Sequence, residues 1–204
     1  MQIILLSGGS GQRLWPLSNK ELSKQFLKIL PSASNINESM IQRVVRQIEE
    51  NENFDSITIA TGKEHYKILK QQIHSKVNIV AEPERRDTFP AIALSTMFLL
   101  KEQKCSLDEV VVVMPCDPYV EKDYFDTLLE MAEVVSNNIS NMVLMGIKPT
   151  SSSSKYGYIL TEPSFSTSKN VEVRSFCEKP DSGTAELLIK NGALLEYNCF
   201  TIPC

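Results

Sequence analysis

The sequence predicts an α/β fold built on a mixed, mostly parallel β-sheet with helices on both of its faces. Short apolar segments alternate with longer segments of helical periodicity over residues 1–147. This alternation is typical of parallel strands that are joined by helical crossovers. In addition, the segment EVVVVM at 109–114 is apolar without alternation, which favours a central strand buried on both faces.

The predicted strands are short apolar or alternating segments bounded by turn residues. In chain order they span 3–6, 56–60, 77–80, 109–114 and 141–146, followed by candidates at 156–161 and 171–178. The first strand, IILL, runs directly into glycines, and the second, SITIA, alternates between polar and apolar residues. The last two lie among serine-rich turns, so we expect an extension of different character from residue 148 onward.

The predicted helices span 39–50, 63–73, 90–101, 123–135 and 182–191. In the first helix the apolar residues recur at helical spacing, at Met40, Ile41, Val44, Val45 and Ile48. We expect Ser182 to cap the last helix, and Asn191 and Gly192 to end it.

Length and charge limit the classes of function. A chain of 204 residues is long enough for one well-cored domain. The net charge of −4 gives no general attraction to nucleic acid or to anionic membranes, so we expect neither as a partner. No apolar run reaches the roughly 20 residues of a membrane helix, and IILL lacks the basic flank of a secretion signal. We therefore expect a cytoplasmic protein.

Cysteine and histidine usage gives no sign of a metal centre. The five cysteines are odd in number and show no CxxC spacing, so we expect free thiols in a reducing compartment. The only two histidines, His65 and His74, lie far in sequence from every cysteine, which argues against a zinc site.

The segment SGGSGQR directly follows the first predicted strand. Ligands of open α/β sheets bind beyond the carboxyl ends of the strands, and glycines there let the backbone approach an anion closely. Arg13 and Lys24 would add a planar fork and a point charge that suit phosphate oxygens. The alternative is a glycine-rich surface turn with a solvated arginine. The sequence has neither the GxxxxGK[ST] of a P-loop nor the GxGxxG of a dinucleotide fold.

Several segments, in order along the chain, carry a resemblance to a known family. SGGSGQRLWPLSNKELSKQFLKIL resembles the signature of the sugar-phosphate nucleotidyltransferases, GGxGTRLxPL followed by PKxF, and is most similar to the mannose-1-phosphate guanylyltransferase branch. EPERRDTFPAIALS resembles that branch's EPxxRNTAPAIAL, and MPCDPYV its PSDHxI. GIKPTSSSSKYGYI resembles GIxPTxPxTGYGYI, and FCEKPD resembles FxEKPD. The resemblance covers residues 3–181.

The resemblance implies a Rossmann-like nucleotidyltransferase fold, similar to the glycosyltransferase-A fold, in a single domain over 1–204. Residues 1–147 would form the nucleotide-binding core, and 148–204 an incomplete sugar-phosphate-binding extension. The implied reaction transfers a nucleotidyl group from GTP to mannose 1-phosphate and gives GDP-mannose and pyrophosphate, with Mg²⁺ as cofactor. The resemblance is also compatible with a homodimer.

The resemblance assigns roles to the residues that match its motifs. Catalytic roles go to Arg13, Lys24 and Asp117, and Asp117 is also the expected metal ligand. Nucleotide contacts go to Ser7, Gly8, Gly9, Gly11, Arg13, Glu82, Arg86, Asp87 and Thr88. Sugar-phosphate contacts go to Gly157, Glu178, Lys179 and Asn198. Glu82 is expected to favour GTP over ATP, because a carboxylate can accept hydrogen bonds from both N1–H and the 2-amino group of guanine.

The sequence departs from the family pattern at several positions. Ser23 replaces a proline, Asp87 an asparagine, and Pro118 a histidine. The Asp87 carboxylate is expected either to repel a triphosphate or to alter ribose binding. For Asp117, and for the segment EKP that holds Glu178, the alternative interpretation is an ordinary turn.

The end of the chain leaves the activity open. EYNCFTIPC matches the family's WNSGxF only at Asn198, and the chain ends at Cys204 before the family's second metal-binding aspartate. We therefore expect a truncated catalytic domain with an exposed sheet edge. Three hypotheses follow: an active guanylyltransferase, an impaired homologue that only binds nucleotide or sugar phosphate, or an enzyme of this class that uses another base or sugar.

Overall fold

Four parallel strands form the centre of the first part of the chain. The computed structural model describes residues 1–9, 14–32, 36–162 and 170–204. The chain divides into two units, which we call unit 1 (Met1–Val143 and Phe200–Cys204) and unit 2 (Leu144–Cys199).

The strands of unit 1 are β1 (Gln2–Ser7), β2 (Ser56–Gly62), β3 (Asn78–Glu82) and β4 (Val110–Pro115). They lie in the order β3-β2-β1-β4, and every pair is parallel. The last residues of β8 (Leu194–Pro203) pair antiparallel with β4, with Val110 opposite Pro203 and Val113 opposite Phe200. The sheet of unit 1 is therefore mixed and mostly parallel, which confirms the predicted fold class.

Helices cover both faces of this sheet. They are α1 (Met40–Glu49), α2 (Tyr66–Gln72), α3 (Thr88–Lys101) and α4 (Lys122–Ser136). One core cluster joins Leu99 of α3 to Val111 of β4, and another joins Ala132 of α4 to Val110. Because successive strand residues face opposite sides of a sheet, α3 and α4 cover opposite faces. Residues 111–114 are fully buried, as the unbroken apolar run predicted.

The helix starts are set by hydrogen bonds that the sequence pattern only partly indicated. Helix α1 begins after Ser39, close to the predicted start, and the Ser39 hydroxyl forms a capping box with Gln42 that was not predicted from the sequence. The predicted helix 63–73 begins instead as the 3₁₀ helix Lys63–His65, before α2. The expected cap Ser182 is wrong: Asp181 caps α5 (Ser182–Lys190), because its Oδ1 accepts a hydrogen bond of 3.0 Å from the Thr184 amide.

Unit 2 is built on antiparallel strands. Strand β6 (Tyr158–Thr161) lies between β7 (Val173–Cys177) and β8 and is antiparallel to both. Strand β5 (Val143–Ile147) pairs with β8. Tyr158 packs on Ala185 of α5 and on Ala193 in a small core cluster. The sequence did not predict β8, since its strand state depends on pairing partners that are distant in the chain.

Two further expectations from the sequence concern the cysteine thiols and the length of the apolar segments. The five cysteines are all free. Among the described helices, none combines the length and the apolar character that a bilayer crossing requires.

Gly192, which follows α5, provides a test of the unit 2 fold. Its φ is +83°, and a Cβ built on it meets no atom within 4 Å. We expect Gly192→Ala to lower the free energy of unfolding by about 1–2 kcal/mol, the cost of left-handed backbone for an L-residue with a side chain. Gly192→Asn should cost less, because asparagine tolerates this conformation better. Urea denaturation measures both, and equal stability of the alanine variant and the parent would contradict the helix end described.

Candidate functional site

The carboxyl ends of the parallel strands bring several predicted site residues to one edge of unit 1. Ser7 ends β1 and is followed by Gly8 and Gly9, while Glu82 ends β3 and Asp117 follows β4. Parallel pairing places all these strand ends on the same side of the sheet. Gly11 and Arg13, which were predicted to contact the nucleotide, lie outside the described residues.

The backbone at the end of β1 is held by hydrogen bonds on its buried side and is exposed to solvent on its other side. The buried Ser7 carbonyl accepts hydrogen bonds of 3.4 Å from the Gln25 side-chain amide and from the Thr61 hydroxyl. Gly8 is exposed, and a Cβ placed on it would meet no atom within 4 Å. The start of the glycine segment is therefore held in place while its outer side stays accessible to a ligand.

Lys24 and Asp117, two of the predicted catalytic residues, form an ion pair. Lys24 opens the 3₁₀ helix Lys24–Phe26, and Asp117 lies two residues beyond β4. Their side chains are 36% and 34% exposed, so water reaches both charges. An ion pair at this exposure contributes at most about 1 kcal/mol. A phosphate group can therefore compete for the lysine, and a cation for the carboxylate, at little cost.

Cys116, next to Asp117, is not a nucleophile in this arrangement. Burial, with a smaller contribution from the Asp117 charge, raises the pKa of the Cys116 thiol to about 12. Its backbone N–H donates a 3.1 Å hydrogen bond to the Leu6 carbonyl of β1. The thiol therefore stays protonated and acts as a packing group that fixes the start of the Asp117 loop.

Glu82 presents an acceptor at the wall of a cleft. The cleft measures about 570 Å³, and its lining residues are Lys63, Glu82, Pro83, Glu84, Arg86, Pro90 and Leu94. Burial raises the pKa of the Glu82 carboxyl; the Arg85 charge opposes this rise, and the Glu64 charge adds to it. Within the described ranges, no hydrogen bond or ion pair engages this carboxylate. Its oxygens are therefore available to a ligand that donates hydrogen bonds.

The residues after Glu82 have local partners. The exposed guanidinium of Arg86 donates a 2.9 Å hydrogen bond to Glu84. Asp87 caps α3, since its Oδ1 accepts a 3.0 Å hydrogen bond from the Thr88 amide. Asp87 has φ 71° and ψ −168°, a combination that costs a non-glycine residue about 1–3 kcal/mol. The carboxylate that replaces the family's asparagine is thus engaged by the helix N-terminus, where negative charge is favourable.

Two residues to which the sequence assigned no role at the site, His65 and Arg85, belong to the same edge. His65 is 1% exposed and ends the 3₁₀ helix after β2. Burial lowers the pKa of the His65 imidazole; the hydrogen bond with the Lys20 carbonyl opposes this, the Arg85 charge lowers the pKa further, and the Glu64 charge has a smaller raising effect. Arg85 contacts both His65 and the Gly9 carbonyl. The sequence signal that was overlooked is a lone histidine three residues beyond a buried strand.

The predicted sugar-phosphate residues lie together in unit 2. Gly157 is buried, and a Cβ placed on it would come within 2.7 Å of Glu178 Oε2. Lys179 donates to Glu178 Oε1 at 2.5 Å, and both side chains are exposed. Glu196 links Asn198 to Gly157. The Glu196 N–H donates to the Gly157 carbonyl at 3.0 Å, and Glu196 Oε1 accepts from the backbone N–H of Asn198 at 2.9 Å. Glu196 was not identified from the sequence.

Metal-ligating side chains are sparse. Across the described part of the chain, no group of three or more His, Cys, Asp or Glu side chains is arranged to hold a metal ion. Asp117 supplies one carboxylate. This fits Mg²⁺ only in the form in which proteins often bind it, with one or two carboxylates plus oxygens of substrate phosphates and water.

Curated relatives match nearly the whole chain. The alginate biosynthesis protein AlgA of Pseudomonas fluorescens is 34% identical over 195 residues, covering 93% of this chain and 38% of that protein. The mannose-1-phosphate guanylyltransferase of Escherichia coli is 34% identical over 194 residues, covering 92% of this chain and 40% of that protein. The chain thus spans about 40% of the length of these relatives.

Solved structures agree with the fold. The mannose-1-phosphate geranyltransferase of Thermus thermophilus superposes with a TM-score of 0.82 at 25% identity, covering 99% of this chain and 57% of that one. A UDP-glucose pyrophosphorylase complexed with UDP-glucose gives a TM-score of 0.68 at 17% identity, covering 99% and 75%; this likeness concerns the fold alone. Residues 2–196 match the sequence profile of the Nucleotidyl transferase family, and the chain therefore belongs to that family.

Proposed function

We propose that this chain transfers a guanylyl group from GTP to mannose 1-phosphate and forms GDP-mannose and pyrophosphate. The observation that carries the proposal is the half-buried, water-accessible Lys24–Asp117 pair near Gly8 and Gly9, which follow β1. The names of the curated relatives, which include a mannose-1-phosphate guanylyltransferase, support this choice of base and sugar.

The chemistry asks mainly for positioning and charge neutralisation. A phosphate oxygen of the sugar 1-phosphate attacks the α-phosphorus of the triphosphate, and the bond from that phosphorus to the oxygen bridging to the β-phosphate breaks. Backbone N–H groups after β1 would bind the triphosphate, and Arg13 would neutralise charge on the departing pyrophosphate. Lys24 would leave Asp117 and bind phosphate oxygens near the reacting centre.

Asp117 is the residue that would hold Mg²⁺, together with oxygens of the bound triphosphate. When bound, the ion would neutralise charge on the phosphate oxygens. Before substrate binds, Asp117 would hold Lys24 at the reacting centre through their ion pair. In the same state Lys24 would balance the negative charge of the Asp117 carboxylate.

Base and sugar recognition fall to the two units separately. In unit 1, Glu82 would accept hydrogen bonds from guanine, and Arg86, Asp87 and Thr88 would contact the ribose side. In unit 2, Glu178 would bind sugar hydroxyls, Lys179 the sugar phosphate, and Gly157 and Asn198 would complete the sugar contacts.

We further propose a cytoplasmic location and a homodimer.

One observation favours a second candidate, an impaired homologue that binds substrates without joining them. The described residues present one carboxylate at the reacting centre rather than a cluster of acidic groups. The test below decides between the two candidates.

Asp117→Asn removes the charge that is needed for both proposed roles of this carboxylate. We expect kcat to fall by about 10²–10³-fold, the loss typical when a group that stabilises transition-state charge is removed. The measurement is GDP-mannose formation from GTP and mannose 1-phosphate with Mg²⁺, read by mass spectrometry. Asp126→Asn, on the exposed side of α4, is the matched control. Unchanged kcat in the Asp117 variant would refute its role, and GTP binding without product in the parent chain would favour the impaired homologue.

Glu82→Gln tests the choice of base. We expect the ratio of kcat/KM for GTP over ATP to fall by about tenfold or more, because a glutamine amide cannot accept from both guanine donors. Glu102→Gln, at an exposed residue just after α3 and outside the cleft, is the matched control.

Lowering the pH should reduce the preference for GTP over ATP, as Glu82→Gln does. Burial raises the pKa of Glu82, so the carboxylate is protonated at a higher pH than an ordinary glutamate and the GTP preference declines earlier as pH falls. The ratio for Glu82→Gln should stay flat over the same range. A preference in the parent chain that persists unchanged down to the ordinary glutamate pKa of about 4.3, or that Glu82→Gln retains in full, would exclude base reading by this residue.

A further inference from the structure

A hydrogen-bonded group of side chains, which we call the His65 cluster, joins three strand ends of unit 1. It consists of His65, Arg85, Glu64 and Ser23 together with the Gly9 carbonyl. His65 follows β2, Arg85 follows β3, and Gly9 follows β1. None of these contacts was assigned a role from the family pattern beyond the glycine itself, so the cluster needs an explanation of its own.

The partners of His65 define its protonation. Nδ1 lies 3.0 Å from Arg85 Nη2, and because a guanidinium only donates hydrogen bonds, Nδ1 must accept. Nε2 lies 3.1 Å from the Lys20 carbonyl oxygen, which only accepts, so Nε2 carries the proton. The Ser23 hydroxyl lies 2.8 Å from the same nitrogen. The imidazole is therefore neutral, in one tautomer, and its ring is held against Phe26 with a centroid distance of 5.2 Å.

Arg85 is oriented by three partners at once. Its Nη1 donates to the Gly9 carbonyl at 2.7 Å, its Nη2 to His65, and its Nε pairs with Glu64 Oε1 at 2.9 Å. A planar guanidinium with three occupied directions has little freedom to turn. The arginine therefore acts as a rigid brace between the β2 and β3 ends and the glycine segment.

The Gly9 carbonyl is the point on which the cluster converges. It accepts from Arg85 and also from the Ser23 hydroxyl at 3.3 Å. A carbonyl held by two donors fixes the orientation of its peptide group, because the peptide group is planar. The same donors neutralise part of a negative dipole that would otherwise face an approaching anion.

One of the two donors departs from the family pattern, and the other lies at a position that the pattern leaves open. Ser23 stands in place of the proline before the lysine, and Arg85 fills a position that the pattern EPxxRNTAPAIAL leaves open. A proline at 23 has no hydroxyl to donate. Ser23 and Arg85 meet the two nitrogens of one histidine, so these features of the chain belong to one structural device.

We propose that His65 and Arg85 are positioning residues for nucleotide binding: they hold the Gly9 carbonyl so that the backbone at Gly8 and Gly9 is preorganised for the triphosphate. The inference rests on the proposed nucleotidyl transfer and deepens it. Arg85 acts through the backbone of Gly9 and does not itself contact the nucleotide. Loss of the cluster weakens triphosphate binding for every base and leaves the sugar-phosphate side unaffected.

Three substitutions separate the contacts of the cluster. Arg85→Lys keeps the charge but loses the planar fork. His65→Asn retains an acceptor where Nδ1 faces Arg85, whereas His65→Gln retains a donor where Nε2 faces Ser23 and Lys20. His74→Gln, at the other, exposed histidine, is the matched control. Circular dichroism and urea denaturation establish that each variant is folded, and Arg85→Lys, at an exposed residue, is the variant that does not disturb a buried site.

The readouts are the dissociation constants of Mg·GTP and Mg·ATP by calorimetry, and KM for each substrate. We expect Arg85→Lys and His65→Gln each to weaken both triphosphates about tenfold, with His65→Asn closer to the parent chain. The double variant Arg85→Lys with His65→Gln should be no weaker than either single variant, because the residues act as one unit. KM for mannose 1-phosphate and the His74→Gln variant should not change.

Other outcomes would overturn the positioning role of these residues. Weaker binding in Arg85→Lys with unchanged binding in His65→Gln would mean that Arg85 contacts the nucleotide directly, which overturns the positioning role. Additive losses in the double variant would overturn it as well. A parent chain that binds GTP as tightly as all variants refutes the cluster alone, whereas a parent chain that binds no triphosphate refutes the proposed function together with it.

Discussion

The parallel register of β1 with its two neighbours is the constraint on which the rest of the site depends. Ser7 of β1 lies opposite Thr61 of β2, and Leu6 lies opposite Pro115 of β4. Strand ends that coincide to within a residue deliver the segments after them to one edge of the sheet. A slip of one residue would turn the side chains of a strand to the opposite face. The buried, β-branched core of β4 makes such a slip costly, so the hydrophobic pattern also fixes the site.

Charge balance is the second organising feature. Several described cations near predicted substrate contacts are paired with a carboxylate: Lys24 with Asp117, Arg85 with Glu64, Arg86 with Glu84, and Lys179 with Glu178. Pairs at such exposure are weak, and a polyphosphate is a stronger partner for a cation than a single carboxylate. The free chain thus keeps its cations in place without a large energetic barrier to substrate binding. Arg85 differs from the others, because it is also held by His65 and Gly9.

The sequence was informative where structure follows from local pattern. The apolar run at 109–114 predicted the buried central strand, and the apolar spacing from Met40 to Ile48 predicted α1, since periodicity acts over a few residues. Strand β8 and the His65 cluster were missed for the opposite reason. Pairing of Val113 with Phe200, or of Arg85 with the Gly9 carbonyl, joins positions far apart in the chain, and no local signal encodes it. Asp87 shows a third case, where a positive φ is imposed by the turn into α3. The resemblance to a family supplied Lys24 and Asp117, and the structure shows them in contact.

The carboxyl edge of unit 1 is the proposed binding site of the triphosphate. Hydrogen–deuterium exchange of the whole chain, with and without GTP and Mg²⁺, tests it most directly, because it locates the ligand without requiring turnover. Slower exchange should appear in peptides that contain residues 7–9, 23–26 and 82–88, which follow or face the ends of β1 and β3. Protection that is absent from these peptides, or confined to a remote element such as α4, would contradict the proposed site.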